Sequence, residues 1–354
     1  FQVCDKIYCA RKVMKTAVVS DDKIVIKQAE DLKLDGRKGA IVKVLGCGLC
    51  GSDIVKFVHK ISKNGTVLGH EIVAEIVDIN SETSFKIGDE IVTSHHIPCG
   101  ECVYCKHGNV SMCKHFKATN IRPGGFSEYV YLSEEHLQNV AHLKPENLTD
   151  VEASFYEPLG CIVRAVKRAN LLEGDEALVV GLGSIGILTA QALKAYGAKV
   201  TGCDLIPERI ELLKSLGINA ANVCILPEEN KFDAIYMTSG ADKAIDTALK
   251  YVRNGGKIIV FSSTPHDETS YPNNEIYYRE LTVMGSYSPS PTDLEDSLKL
   301  LKSGKVKVKG LSTEYKLDDI EQAFEDTMAN RIMKAYISVS TKQLSRDGNA
   351  MLTR

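Results

Sequence analysis

Ala177-Leu178-Val179-Val180-Gly181-Leu182-Gly183-Ser184-Ile185-Gly186 decides how the second half of this chain folds. Its first four residues read as a buried strand. Gly181, Gly183 and Gly186 then form G-x-G-x-x-G at the start of a helix predicted over 185–195. Alone, that glycine pattern can be a turn that binds nothing. Between a strand and a helix it is a dinucleotide fingerprint. Gly181 permits the tight turn, Gly183 lets the backbone approach a pyrophosphate, and Gly186 lets the helix pack closely on the strand. With Leu182, Ser184 and Ile185 they form a helix N-terminus that offers free N–H groups and partial positive charge to phosphate.

Downstream, a second strand is predicted over 199–203, followed at once by Asp204, eighteen residues after Gly186. A carboxylate there suits the adenosine ribose hydroxyls and repels a 2′-phosphate, so the cofactor is expected to be NAD rather than NADP. Arg209 is the counterweight, because a guanidinium can pair with that phosphate; stacking on adenine and a solvated helix position are its other readings. A helix is predicted over 207–216, with Pro at its start and Gly217 after its end. Strands over 234–237, 257–261 and 281–284 and a helix over 243–251 complete a strand–helix alternation. That alternation implies a parallel sheet with helices on both faces.

Upstream the texture differs. From 14 to about 155 the chain reads as short β-branched runs, among them 40–45, 72–77 and 90–93, punctuated by Gly, Pro and Asp. This half is predicted to be a β-rich, barrel-like domain. Inside it lie Cys99, Cys102, Cys105 and Cys113, with Gly100 and Gly108 supplying turns. Four thiols at this spacing suit tetrahedral Zn²⁺ with no open position, which means structure rather than catalysis. Cys50-Gly51-Ser52-Asp53, Gly69-His70-Glu71 and the distant Tyr156-Glu157-Pro158 are unremarkable singly. Together Cys50, His70 and a carboxylate make a reasonable open zinc site, with three protein ligands and one place for water or substrate.

A length of 354 residues suggests about two domains. The 43 Lys+Arg against 46 Asp+Glu leave a net charge of −3, which gives no drive toward nucleic acid or an anionic membrane. No run of about 18 apolar residues exists to form a membrane-crossing helix. Residues 1–13 lack the continuous apolar stretch of a secretory signal. They are read as an extension ahead of Met14, and the polar tail 341–354 is also placed outside the fold. Eleven cysteines, odd in number and unevenly spread, suit metal ligands and buried thiols in a reducing cytoplasm.

In combination and order, the Cys50 segment, Gly69-His70-Glu71, the four-cysteine lobe and Gly181–Gly186 resemble the zinc-dependent medium-chain dehydrogenase/reductase family. The resemblance runs from about Met14 to Ser340 and is closest to the sorbitol (polyol) and threonine dehydrogenase branch. Glu157-Pro158-Leu159 with Arg164-Ala165-Val166-Lys167-Arg168 resembles the polyol enzymes, and His96-Ile97-Pro98-Cys99-Gly100 a segment of the threonine enzymes. The resemblance implies an α/β protein: a GroES-like β-barrel catalytic domain over 14–158 and 294–340, and a Rossmann NAD-binding domain over 159–293. It implies one catalytic and one structural zinc. Cys50, His70 and Glu71 would be direct ligands of the first, with Glu157 binding the metal or its water. It further implies NAD-linked oxidation of a secondary hydroxyl of a small polyol-like alcohol to a ketone, with zinc as Lewis acid. Ser52 would take the hydroxyl proton, and the protein would be a cytoplasmic homodimer or homotetramer. Where members place a proton-passing His this chain has Val55, with His59 one helical turn on. Alternatives are a threonine-type or sugar-alcohol-phosphate dehydrogenase and, from another class, a non-catalytic protein that binds NAD and zinc.

Overall fold

The computed structural model describes residues 13–226, 231–240, 244–262 and 270–340. From Glu176 onward, alternating strands and helices build a six-stranded parallel sheet. In space its strands run Asn219–Asn222, Lys199–Asp204, Glu176–Val180, Phe232–Met237, Val252–Val260 and Thr282–Gly285. The chain winds outward in both directions from Glu176–Val180, so the order reverses beside that strand. Dinucleotides bind at such a reversal in open α/β sheets. The helix Ala244–Tyr251 lies between two of these strands. Lys243, expected to open it, falls outside the described residues.

The other lobe is a seven-stranded sheet around Gly39–Gly48, which is almost entirely buried. Glu71–Asn80, Glu90–Thr93 and Ala141–Leu143 follow on one side, antiparallel. Ala335–Ser338 and Thr313–Lys316 lie on the other, and Tyr129–Ser133 also pairs with the central strand. The C-terminal segment thus returns to the first lobe. The sequence reading put Val13 in an extension. Instead it opens the strand Val13–Ser20, paired opposite Glu30 of Lys23–Glu30, because the hairpin's register runs one residue past Met14.

The boundaries expected at 158/159 and 293/294 each fall inside a helix, Tyr156–Ala169 and Pro291–Lys302. These two helices pack against each other so tightly that a Cβ at Gly160 would lie 2.8 Å from the Leu294 side chain. Ser297 Oγ donates to the Tyr156 carbonyl at 2.8 Å, and Lys167 Nζ to Asp293 Oδ1 at 3.0 Å. One apolar cluster continues through this joint, from Leu45, Val73 and Val92 through Leu159 and Leu294 to Leu188 and Tyr236. No helix among the described residues is long and apolar enough to cross a membrane.

Candidate metal and cofactor sites

The lobe Cys99–Cys113 folds as two short helical turns, and its four sulfurs all lie within 4.8 Å of one another. Sγ–Sγ distances include 3.5 Å for Cys99–Cys113 and 3.6 Å for Cys102–Cys105, and none of the four is in a disulfide. Burial pushes both Cys105 and Cys113 up. At Cys113 this is outweighed by hydrogen bonds from the backbone of Cys99 and Phe116, and its pKa falls to about 6. Cys105, beside the Cys102 thiol, rises to about 12. The set converges on one point that four soft sulfurs enclose, which fits a closed tetrahedral cation. The lobe is fastened to the protein by one helix. Arg164 donates to the Gly108 carbonyl, and Arg168 Nη1 to Asn109 Oδ1 at 3.2 Å.

The second cluster is drawn from separate elements. Cys50 is the N-cap of the helix Gly51–Val58, His70 precedes and Glu71 begins the strand Glu71–Asn80, and Glu157 sits in the first turn of Tyr156–Ala169. Donor atoms of Cys50, His70 and Glu71 lie within 4.8 Å of one another, and those of His70, His95 and Glu157 form an overlapping set. Glycines make this approach possible. A Cβ at Gly48 would lie 2.0 Å from Glu71 Oε2, and Gly69 turns the chain at φ +89° into His70. Cys47 stays outside both sets, fully buried against Gly69 and Gly125, so its sulfur packs behind the turn.

Charge in this cluster is crowded and poorly hydrated. Burial opposes an imidazolium at His70, yet the negative groups of Asp53 and Cys50 hold its pKa well above the ordinary value. Burial and neighbouring Glu71 together keep Glu157 raised, against the pull of His70 and Lys334. The Lys334 ammonium lies 2.5 Å from Glu71 Oε2, but neither Glu71 oxygen, in a residue 1% exposed, has an aligned hydrogen bond. Lys334 Nζ also donates to the Leu49 carbonyl at 3.2 Å. Oε1 has no partner of any kind, and a buried carboxylate oxygen left unsatisfied is costly. Beside a thiol and an imidazole, it fits a borderline-soft divalent cation such as Zn²⁺.

Sequence reasoning assigned no role to several groups here. Asp53 is buried; its Oδ1 accepts from the Gly69 N–H at 3.4 Å and lies 3.5 Å from His70 Nδ1, which fixes the imidazole's rotation. Cys161, one turn after Glu157, donates to Glu157 Oε1 at 3.7 Å. Lys334 came from a stretch that reads as surface. Only its place beside Ala335–Ser338, paired to Gly39–Gly48, brings it inside. Ser52 is exposed on the first turn of its helix, and the N-cap is Cys50, so Ser52 is not the cap. The helix reaches Val58 with His59 as C-cap, placing Ser52, Val55 and His59 on one face at i, i+3 and i+7.

At the sheet reversal, Gly181 has φ +93°, and a Cβ on Gly186 would lie 1.9 Å from the Gly181 carbonyl oxygen. A Cβ on Gly183 would meet open space, and Gly183 caps the helix Ser184–Ala195 with no side-chain hydrogen bond. The first-turn N–H groups beside Gly183 are therefore open to the approach of a pyrophosphate. Leu182 packs into the core while its N–H donates to Asp204 Oδ2 at 2.6 Å. Asp204 Oδ1 accepts from Leu205 and Ile206 at 2.7 and 2.9 Å. Arg209 turns toward Asp204, with Nη1 3.6 Å from Oδ2, rather than standing solvated. Ser184 is buried and Ile185 half-buried behind the turn.

Comparison with known proteins adds an independent line. Residues 36–142 match the family model of the alcohol dehydrogenase GroES-like domain, and residues 184–303 that of zinc-binding dehydrogenases. The sorbitol dehydrogenase of Halalkalibacterium halodurans is 31% identical over 321 residues, spanning 86% of this chain and 92% of that protein. A probable D-xylulose reductase A of Aspergillus clavatus is 30% identical over 322 residues, spanning 84% and 88%. The solved structure of an alcohol dehydrogenase from Thermus sp. ATN1 superposes with a TM-score of 0.81 at 24% identity, covering 92% of this chain and all (100%) of that one, which shows the shared fold.

Proposed function

This chain belongs to the zinc-dependent medium-chain dehydrogenase/reductase family, in its polyol dehydrogenase branch, and from that premise we propose that it oxidises a secondary hydroxyl of a small polyol with NAD. The observation that carries the reading is the convergence of Cys50, His70 and Glu71, with Glu71 buried, its Oε1 without a partner and its Oε2 held only by the Lys334 ammonium. Cys50, His70 and Glu71 would hold the catalytic metal, with Glu157 close enough to hold the metal or its water. Cys99, Cys102, Cys105 and Cys113 would hold the structural one. When bound, zinc supplies Lewis-acid polarisation of an alcohol oxygen, and NAD accepts the hydride.

The chain's own residues do the rest. Asp53 keeps the His70 ring in one orientation. Lys334 offsets part of the charge on Glu71. Ser52, whose hydroxyl both accepts and donates, takes the proton leaving the substrate. His59 lies about 10 Å along the helix from it, at 1.5 Å per residue. That is too far for direct transfer, so Val55 interrupts the path and water must carry the proton between them. Gly181, Gly183 and Gly186 with Leu182, Ser184 and Ile185 seat the pyrophosphate. Asp204 excludes a 2′-phosphate while Arg209 remains engaged with it.

The domain division follows the two sheets, with the helices Tyr156–Ala169 and Pro291–Lys302 as their joint. Nine described cysteines are free thiols, which supports a reducing, cytoplasmic location. Thr282–Gly285 ends its sheet as an edge strand flanked by Tyr277 and Tyr278, 72% and 79% exposed, which supports a homodimer or homotetramer. The test is metal analysis with an NAD-reduction screen over polyols, inositols, L-threonine and sugar-alcohol phosphates. Two zincs per chain and fastest NADH formation on a polyol are expected. Two zincs with no NAD-linked oxidation of any alcohol would make the protein a binding module instead.

A further inference from the structure

Resting on that reading and deepening it, we propose that His95 is a specificity residue: its imidazole hydrogen-bonds the hydroxyl next to the one that reacts, and so selects polyols over simple alcohols. His95 follows the strand Glu90–Thr93 and is 9% exposed. Its ring centroid lies 4.4 Å from that of His70 and 3.9 Å from that of His96. One ring nitrogen is within 4.8 Å of a His70 nitrogen and a Glu157 oxygen, so the ring borders the place where an alcohol must sit.

The polar capacity of this ring is unspent. Nδ1 is enclosed and has no hydrogen-bond partner. The neighbouring His96 is different: its Nδ1 is engaged with the Thr119 carbonyl, and its ring packs on Phe116, so it is a structural residue. The backbone around His95 is fixed as well, since its carbonyl accepts from His136 Nε2 at 3.2 Å. A neutral imidazole carries one donor and one acceptor nitrogen, and a hydroxyl can answer either. Polar groups buried without a partner are uncommon in native proteins and call for one.

A role as metal ligand is the competing use of this ring. The set His70–His95–Glu157 lacks the thiolate that Cys50 gives the other set, and both sets need His70. One cation cannot occupy both, which leaves His95 for the substrate.

The experiment compares kcat/KM for sorbitol with that for 2-butanol, alongside zinc content, in wild type and in His95→Phe, His95→Asn and His95→Gln. Sorbitol binding to the NADH-loaded proteins, where no turnover occurs, is measured by calorimetry. The expected result is that His95→Phe lowers the sorbitol-to-butanol ratio about ten- to hundredfold, chiefly through KM, with zinc at two per chain and a matching loss of sorbitol binding. Asn places an amide near the position of Nδ1 and Gln near that of Nε2. One of the two should recover most of the ratio, and which one identifies the nitrogen used. An unchanged ratio, an equal loss on both alcohols, or loss of one zinc overturns the proposal. If the zinc-loaded wild type oxidises neither alcohol and binds no sorbitol, the dehydrogenase reading falls and this inference with it. Activity on 2-butanol with an unaltered ratio in His95→Phe removes only the inference.

Discussion

The two cysteine-bearing clusters are built on opposite plans. The lobe takes all its donors from Cys99–Cys113, one type of atom repeated four times, close to the surface and self-sufficient. The Cys50 cluster gathers a thiol, an imidazole and two carboxylates from three distant segments, nearly all buried, and holds more donors than a cation needs. It also carries attendants that the lobe lacks: Asp53 behind His70, Lys334 against Glu71, Cys161 on Glu157. A closed set only needs to bind. A set meant for exchange must keep its spare ligands charged and oriented when they are not bound, and that takes neighbouring groups.

That contrast can be broken by substitution. The largest effect belongs to Cys50→Ala: loss of the site metal and a fall in turnover of about a thousandfold or more, several kcal/mol of lost stabilisation. Glu157→Gln should keep the zinc and lower turnover far less. Zinc content and NADH formation on both variants decide, and a normally active Cys50→Ala enzyme would sink the assignment. Lys334→Met comes next. It leaves Glu71 as an uncompensated buried charge, at about 3–5 kcal/mol in the zinc-free protein, with much of the loss regained when zinc is added. Melting with and without zinc tests this, and an equal shift in both states would mean that Lys334 merely packs.

Cys105→Ser should cost less, about 2–3 kcal/mol, through the lobe alone. Zinc should drop from two per chain to one while the Cys50 site stays loaded. Two retained zincs and an unchanged melting temperature would refute the lobe as a metal site. The smallest expected change lies at Asp204→Ala, where the NAD-over-NADP preference should fall about tenfold as Arg209 is released toward a 2′-phosphate. Steady-state kinetics with both cofactors measures it, and a native preference for NADP would contradict the assigned role.

How far the sequence alone reaches follows the same division. The lobe and the Gly181 turn are legible because their chemistry is local: the spacing of four cysteines and of three glycines carries the geometry. Strands such as Gly39–Gly48 and Lys199–Asp204 show themselves through β-branched runs. The Cys50 cluster was reached through resemblance, since no spacing rule links Cys50 to Glu157. Lys334 was out of reach: a lysine before Ala335-Tyr336-Ile337 looks like a solvated flank until strand pairing buries it. Arg164 and Arg168 were quoted as branch signatures, but their contacts to Gly108 and Asn109 depend on where the lobe folds back.

Those two contacts change what a surface loop means in this protein. Glu157, Cys161, Arg164 and Arg168 follow one another at i, i+4, i+7 and i+11, along a single stripe of the helix Tyr156–Ala169. One end of the stripe carries the carboxylate, and the other is bolted to the cysteine lobe. The helix is a tie-rod between a mooring at the surface and a working end inside. An exchange at Asn109 would remove the oxygen to which Arg168 Nη1 donates and so loosen one of the two fastenings between this helix and the lobe.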